Sequence, residues 1–197
     1  MTNKEKWNNA AKWGLIVGIC MSCSKIIEHL LLLSGEVNKF ALLSVEVLVS
    51  AALFCSLIYQ ALKRGVPMLS LEEKYMYGQG VNYAILISVF AATIVTLSSY
   101  IYIDAVVGGY EAYVIASVNS MKSVMSDSSV SRDFLSTYDS RFDELITSAK
   151  NKPSIFALLF SHISTYVFTG GLAGLILSWR VSTKVKQTGE INGNNEQ

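Results

Sequence analysis

The stretch VNYAILISVFAATIVTLSSYIYI, residues 81–103, decides the fold class of this chain. It contains no acidic, basic or histidine side chain, and its hydroxyl-bearing residues stand among Ile, Leu, Val, Phe and Ala. About 20 predominantly apolar residues in a helix cross the roughly 30 Å hydrocarbon core of a bilayer. Because water is absent there, such a segment must be helical to satisfy its own backbone hydrogen bonds. The stretch therefore predicts a membrane-spanning helix.

Three further apolar stretches of similar length surround it, at residues 13–33, 40–62 and 155–179. The whole chain is 51% hydrophobic and 16% charged, with a mean hydropathy of +0.39, whereas soluble domains carry about a quarter charged residues. We therefore predict an all-α fold, an integral membrane four-helix bundle formed by one domain over residues 1–186. The alternative, a soluble all-α bundle, would leave these helices almost no polar face.

The connection between the third and fourth spans has helical patterns of its own. Apolar residues recur at helical spacing in two runs, which are Val114, Val118, Met121 and Met125, then Phe134, Tyr138, Phe142 and Leu145. We predict an external helical hairpin over about residues 111–150, whose apolar stripes rest on each other, on the bilayer surface or on a partner. A capping box at Ser70 begins either a short separate helix or the third span. The polar tail, residues 187–197, is expected to be disordered.

Lysine and arginine are unevenly distributed over the connections. Three each lie in the N-terminal tail, in the connection at residues 63–80 and in the C-terminal tail, whereas the short connection at residues 34–39 holds one lysine. The connection at residues 104–154 holds five, together with seven acids, but it is too long to determine the topology alone. Because cytoplasmic connections of membrane proteins carry an excess of these residues, we expect both termini to be cytoplasmic and the hairpin to be external. The net charge of +1 gives no electrostatic footprint for nucleic acid.

The order of local motifs is similar to that of a known family. These motifs are Gly14-Leu15-Ile16-Val17-Gly18, Lys63-Arg64, Tyr77-Gly78-Gln79-Gly80, Pro153 and Gly170-Gly171-Leu172-Ala173-Gly174. In this order the chain resembles the bacterial four-span membrane proteins of domain-of-unknown-function family 4199, known chiefly from Bacteroidetes. The resemblance implies a multi-pass protein of the cell inner membrane, and it implies no activity.

Ionisable side chains inside the predicted spans form the candidate functional site. Counted at about 1.5 Å per residue, those of three different spans share one layer roughly 7–12 Å from the outer span ends. The layer comprises Lys25, Glu28, His29, Glu46 and His162, with Ser99 adding a hydroxyl. It is a self-satisfied polar core, a solute or proton site, or a contact with a partner's span. Because the first two spans are antiparallel neighbours, we predict a Lys25–Glu46 contact, direct or through one water.

Small residues predict where helices approach closely. Gly14 and Gly18 on the first span, and Gly170 and Gly174 on the fourth, form two small-xxx-small motifs. Since the first and last helices of a four-helix bundle usually touch, we expect these motifs to meet within the monomer. The alternative is a seam between two copies of the chain.

Catalytic and cofactor signatures are not found in the sequence. There is no His-Glu-x-x-His, phosphate-binding Gly-Lys-Ser/Thr or Gly-x-Ser-x-Gly string, and Cys20-x-x-Cys23 lies inside an apolar helix. We expect no enzyme activity, no cofactor and no metal. The first functional hypothesis is a non-enzymatic scaffold or accessory subunit, with the bilayer, another membrane protein or a second copy as partner. The alternative is a small transporter or proton-linked sensor that uses Lys25, Glu28, Glu46 and His162.

Overall fold

The protein is all-helical, as the sequence predicts, in every part that the computed structural model describes. Those parts are residues 3–33, 39–65, 77–127 and 132–193. The helices are α1 (Asn3–Leu33), α2 (Lys39–Gly65), α3 (Tyr77–Tyr102), α4 (Tyr110–Asp127), α5 (Arg132–Ala149) and α6 (Ile155–Gly193), and a π-helical turn (Ile103–Val107) prolongs α3. The Ser70 capping box lies outside the described residues.

Four of these helices are long and apolar enough to cross a membrane. The qualifying segments are Lys4–Leu31, Ala41–Gly65, Tyr77–Val107 and Ile155–Val181. Their lengths and composition indicate a multi-pass membrane protein. The end of the bundle that carries α4 and α5 is called the hairpin end below, and the opposite end, where α1 begins and α6 finishes, the terminal end.

Helix α3 is the centre of the bundle, and α1 packs along one of its faces. A side chain at Gly14 would collide with Phe90, and a Cβ at Gly18 would lie 2.6 Å from the Cβ of Ile94. Both residue numbers rise together along this contact, so α1 and α3 run parallel. The close approach buries Val17 completely.

Helix α6 packs on another face of α3 through its own pair of glycines. A side chain at Gly170 would collide with Ser88, and a Cβ at Gly174 would lie 2.9 Å from the Cβ of Ala84. The expected contact between the first and last spans is therefore wrong. Each small-residue motif packs on α3 instead, and α1 and α6 share no extensive contact in the described parts of the chain. The reason is that α3 lies between the two helices, and the glycines of α1 and of α6 each let their own helix approach it closely.

Helix α2 packs against α1 and α6, and it is buried mainly at the terminal end. Phe54, Ile58 and Leu62 are in the core, and the ring of Phe54 contacts that of Tyr166 at 5.9 Å between centroids. The hairpin half exposes Leu48 and neighbouring valines. In a membrane these side chains face lipid, so this half of α2 needs a polar contact to hold it to the bundle.

The connection after α3 folds into two antiparallel helices, α4 and α5, close to the two runs seen in the sequence. Gly108 and Gly109 have φ angles of +91° and +115°, a region that glycine adopts without steric cost. The amide of Gly109 donates to the carbonyl of Ile103 at 2.9 Å, which ends the π turn and reverses the chain. The hairpin is thus attached to α3 through a pair of glycines.

Helices α4 and α5 hold each other through one buried contact and one charged cluster. Val118 and Phe142 are buried, while the Lys122 Nζ lies 3.3 Å from Asp139 and 3.8 Å from Asp143. Of the two helices, α4 also packs on α1. The side chains of the two predicted stripe residues Met125 and Phe134 lie outside the described ones.

The C-terminal segment continues helix α6 as far as Gly193. The sequence predicts a disordered tail from residue 187, and the helix passes that point. Each residue added to an existing helix contributes a backbone hydrogen bond at little further cost, so a polar segment can extend a long helix.

Candidate functional site

A cavity of about 260 Å³ with both polar and apolar lining lies at the hairpin end of the bundle. Helices α1, α3 and α6 form its walls, and α4 of the hairpin covers it. Its polar and ionisable lining consists of Ser22, Lys25, Glu28 and His29 from α1, Ser98, Ser99 and Tyr102 from α3, Tyr110 and Tyr113 from α4, and His162 from α6.

The two formal charges in this lining belong to neighbouring turns of α1. Lys25 Nζ donates to Glu28 Oε2 at 2.6 Å, an i,i+3 pair on one face of the helix. The Lys25 side chain is 53% exposed and that of Glu28 28% exposed. Since both line the cavity, they remain accessible to a molecule inside it.

Glu46 belongs to a different cluster, so the predicted direct contact between Lys25 and Glu46 is wrong. Its Oε1 accepts from the hydroxyls of Ser24 and Ser50 at 2.6 Å each, and these two hydroxyls also contact one another. Consecutive residues point about 100° apart around a helix, so Ser24 faces α2 while Lys25 faces the cavity. This cluster is the polar contact that holds the hairpin half of α2 to α1.

His29 connects three elements beneath the hairpin. Its side chain is 3% exposed, and its Nδ1 lies 2.7 Å from the hydroxyl of Tyr102 on α3. Its ring packs against Tyr113 of α4, with 4.9 Å between centroids. The other ring nitrogen, Nε2, is buried and has no hydrogen-bond partner in the part of the chain that the structure describes. His29 is therefore the point at which the covering helix rests on the bundle.

His162 is oriented by a hydroxyl of α3. Thr96 Oγ1 donates to the carbonyl of Ala92 at 2.7 Å and lies 3.0 Å from His162 Nδ1. Because the single hydroxyl proton is used in the first bond, the hydroxyl accepts from an Nδ1–H in the second. In the neutral ring, Nε2 then has a free lone pair, and it can accept a hydrogen bond from a molecule in the cavity that His162 lines.

An ion pair joins the two bases of the hairpin. Lys152, just before α6, donates to both oxygens of Asp104 at 2.6 and 2.7 Å, and its Nζ lies 4.1 Å from the ring centroid of Tyr100. The hydrogen bond to Asp104 is the main reason that the pKa of Lys152 is raised above its usual value. The end of α3 and the start of α6 are held together here, while α4 and α5 project beyond them.

Five of the six polar residues predicted from the sequence line this one cavity, and Glu46 does not. Sequence reasoning did not find the tyrosines of the cover, Tyr110 and Tyr113. The sequence feature that could have predicted them is a pair of tyrosines three residues apart, directly after Gly108-Gly109. Burial raises the pKa of Tyr113 above its usual value, because the charged phenolate is disfavoured away from water.

Other potentially reactive groups are placed apart from the cavity. Cys20, Cys23 and Cys55 are free thiols, and neither Cys23 nor Cys55 is buried. Among the described residues, no three His, Cys, Asp or Glu side chains converge in a way that could hold a metal ion.

Four apolar helices, three of which line a cavity beneath a helical hairpin, define a multi-pass membrane protein. The chain belongs to the family described as "Protein of unknown function (DUF4199)", which matches residues 12–183. No curated protein and no solved structure matches the chain.

Proposed function

We propose that the protein is a non-enzymatic membrane sensor that binds a small polar solute in the cavity and responds through its hairpin. The observation that carries the proposal is the cavity itself. Polar side chains inside a membrane are costly and usually serve a site or a partner, and here those of three spans converge on a space large enough for a solute.

The attachment of the cover supports a sensing role. Helix α4 is joined to α3 through Gly108 and Gly109, and it rests on the bundle at His29 and Tyr113. Meanwhile the Lys152–Asp104 pair fixes the base of the hairpin. A solute that touches Tyr110 and Tyr113 therefore changes the contacts of one movable element and leaves the bundle beneath unchanged.

Two other roles have less support. A transporter needs a path to the opposite end of the bundle, and there Gly14 and Gly18 bring α1 onto α3 while Gly174 brings α6 onto it. A scaffold is supported by the amphipathic hairpin, by the lack of catalytic motifs and by a small-residue seam that is free for another chain. Both small-residue motifs contact α3 within the monomer, so the argument from the seam no longer applies.

We further propose that the bundle lies in a cell inner membrane with both termini cytoplasmic, so that the cavity faces the outer compartment. The lysine and arginine residues of both tails support this orientation. The hairpin would then meet solutes outside the cell membrane and pass the change to another membrane protein or to a second copy of the chain.

Hydrogen exchange of the full chain in lipid nanodiscs tests the sensor. The probes are four classes of small solute at millimolar concentration: polyols, monocarboxylates, amines and amino acids. We expect at least one class to slow amide exchange in α4. The effect should disappear in Ser99→Phe, which fills the cavity, and persist in Leu48→Phe on the lipid-facing side of α2. Exchange in α4 that no class alters, or an effect that persists in Ser99→Phe, would overturn the proposal.

A further inference from the structure

We infer that the cavity takes a small dipolar ion, a molecule that carries one ammonium and one carboxylate group, such as a short α-amino acid. This inference rests on the proposed solute-binding function and names the class of solute. It is carried by the Lys25–Glu28 pair, which supplies one charge of each sign to the same wall of the cavity.

The charge balance of the lining disfavours ions of a single sign. Lys25 and Glu28 are the formally charged side chains among the described residues that line the cavity, and together they are neutral. A bound anion would draw Lys25 away and leave Glu28 unpaired, and a bound cation would do the reverse. An unpaired charge inside a membrane-spanning bundle is costly, so a ligand with one charge pays this cost on binding.

A dipolar ion avoids that cost because it provides a new partner of opposite charge for each of the two side chains. Its carboxylate can accept from Lys25 while its ammonium donates to Glu28, so one ion pair becomes two. Residues three apart are displaced by about 4.5 Å along a helix, which is suitable for the two ends of a short molecule lying along α1.

The remaining lining matches the same ligand. The free lone pair of His162 Nε2 can accept from an ammonium, and the hydroxyl of Ser99 can donate to a carboxylate. Tyr110 and Tyr113 bring phenol rings from the cover, and aromatic rings attract cations. A ligand held by α1 and by these rings would therefore fix α4 in place.

The size of the cavity limits the ligand to a small molecule. Its volume of about 260 Å³ equals that of about nine waters, each occupying roughly 30 Å³ in the liquid. Sites for drug-sized ligands measure about 300–1,000 Å³. A single amino acid with a short side chain fits this space.

Calorimetry and α4 hydrogen exchange with four matched probes test the inference on the full chain in nanodiscs. The probes are alanine, propionate, ethylamine and propionamide, with glycine, serine and threonine added to vary the side chain. We expect at least one of the four amino acids to bind at least tenfold more tightly than propionate, ethylamine or propionamide. Lys25→Met and Glu28→Gln should each weaken that binding at least tenfold.

A charge-swapped variant, Lys25→Glu with Glu28→Lys, separates recognition from folding. It restores both charges, so it should bind the amino acid more tightly than either single variant. The double variant Lys25→Met with Glu28→Met should remain folded, with unchanged exchange in α3, and should lose binding. Propionate, ethylamine or propionamide binding as tightly as the best amino acid would overturn the inference and leave the sensor proposal standing. If no probe of any class binds, both are overturned.

Discussion

At the scale of single residues, Ser24 and Lys25 show how sharply neighbouring positions differ in a membrane helix. Ser24 donates to Glu46 across the α1–α2 contact, whereas Lys25 pairs with Glu28 in the cavity wall. A double-mutant cycle distinguishes these pairings. We expect a coupling free energy of about 1.5 kcal/mol between Ser24→Ala and Glu46→Met, since hydrogen bonds to charged groups contribute about 1.5–3 kcal/mol. The coupling between Lys25→Met and Glu46→Met should be smaller.

Denaturant unfolding in detergent measures these couplings. Ser56→Ala is the matched control, because Ser56 is exposed on the same helix as Glu46 and should show no coupling to it. A Lys25–Glu46 coupling equal to or larger than that of Ser24 and Glu46 would contradict the observed pairing.

The sequence allows the depth of a polar residue to be predicted better than its partner. The rise of 1.5 Å per residue puts Lys25, Glu28 and His162 in one layer, and the structure brings all three to one cavity. The partner depends on rotation about the helix axis and on which helix lies beside each face. One step of about 100° separates Ser24 from Lys25, and no hydropathy pattern shows which of the two faces α2.

At the scale of helices, α3 forms the core because glycines of α1 and of α6 let a neighbour approach it closely on each of two faces. Hydropathy predicts the four spans, but a small-xxx-small motif shows only that some backbone approaches closely. The motif does not show which neighbouring helix approaches. The expected contact between the first and last spans is wrong for this reason. Such patterns also do not predict where the hairpin packs, because the position of Tyr113 over His29 depends on the turn at Gly108 and Gly109.

Two adjacent glycines of α6 give a matched test of this packing. A Cβ at Gly170 collides with Ser88, whereas one at Gly171 lies 3.9 Å from Ile85, an ordinary contact. We expect Gly170→Ala to destabilise the bundle by about 1–3 kcal/mol through overpacking. Gly171→Ala should be neutral or stabilising by up to about 1 kcal/mol, because alanine favours helices.

Thermal or denaturant unfolding of both variants in the same detergent gives the comparison. Gly78→Ala is a second control, since a Cβ there meets nothing within 4 Å. Equal stability of the Gly170 and Gly171 variants would contradict the close α3–α6 contact.

At the scale of the whole molecule, the sensor proposal depends on which side of the membrane the hairpin occupies. The hairpin exposes Arg141 beside Asp139 and Asp143, and five lysine and arginine residues are spread over the long connection at residues 104–154. Each tail instead carries three lysine or arginine residues close to a span end. The positive-inside rule then favours a hairpin outside the cell membrane. We therefore expect a cysteine at the exposed position Ser140 to react with a membrane-impermeant maleimide in intact cells, and one at Lys4 to react only after permeabilisation. A background in which Cys20, Cys23 and Cys55 are replaced by serine or alanine removes native labelling.

Labelling of the Lys4 position, and not of the Ser140 position, in intact cells would invert the topology. The cavity would then face the cytoplasm, where a sensor would bind internal solutes. Labelling at both positions in intact cells would contradict a bundle that crosses the membrane four times, because an even number of spans keeps the two termini on one side and the hairpin on the other.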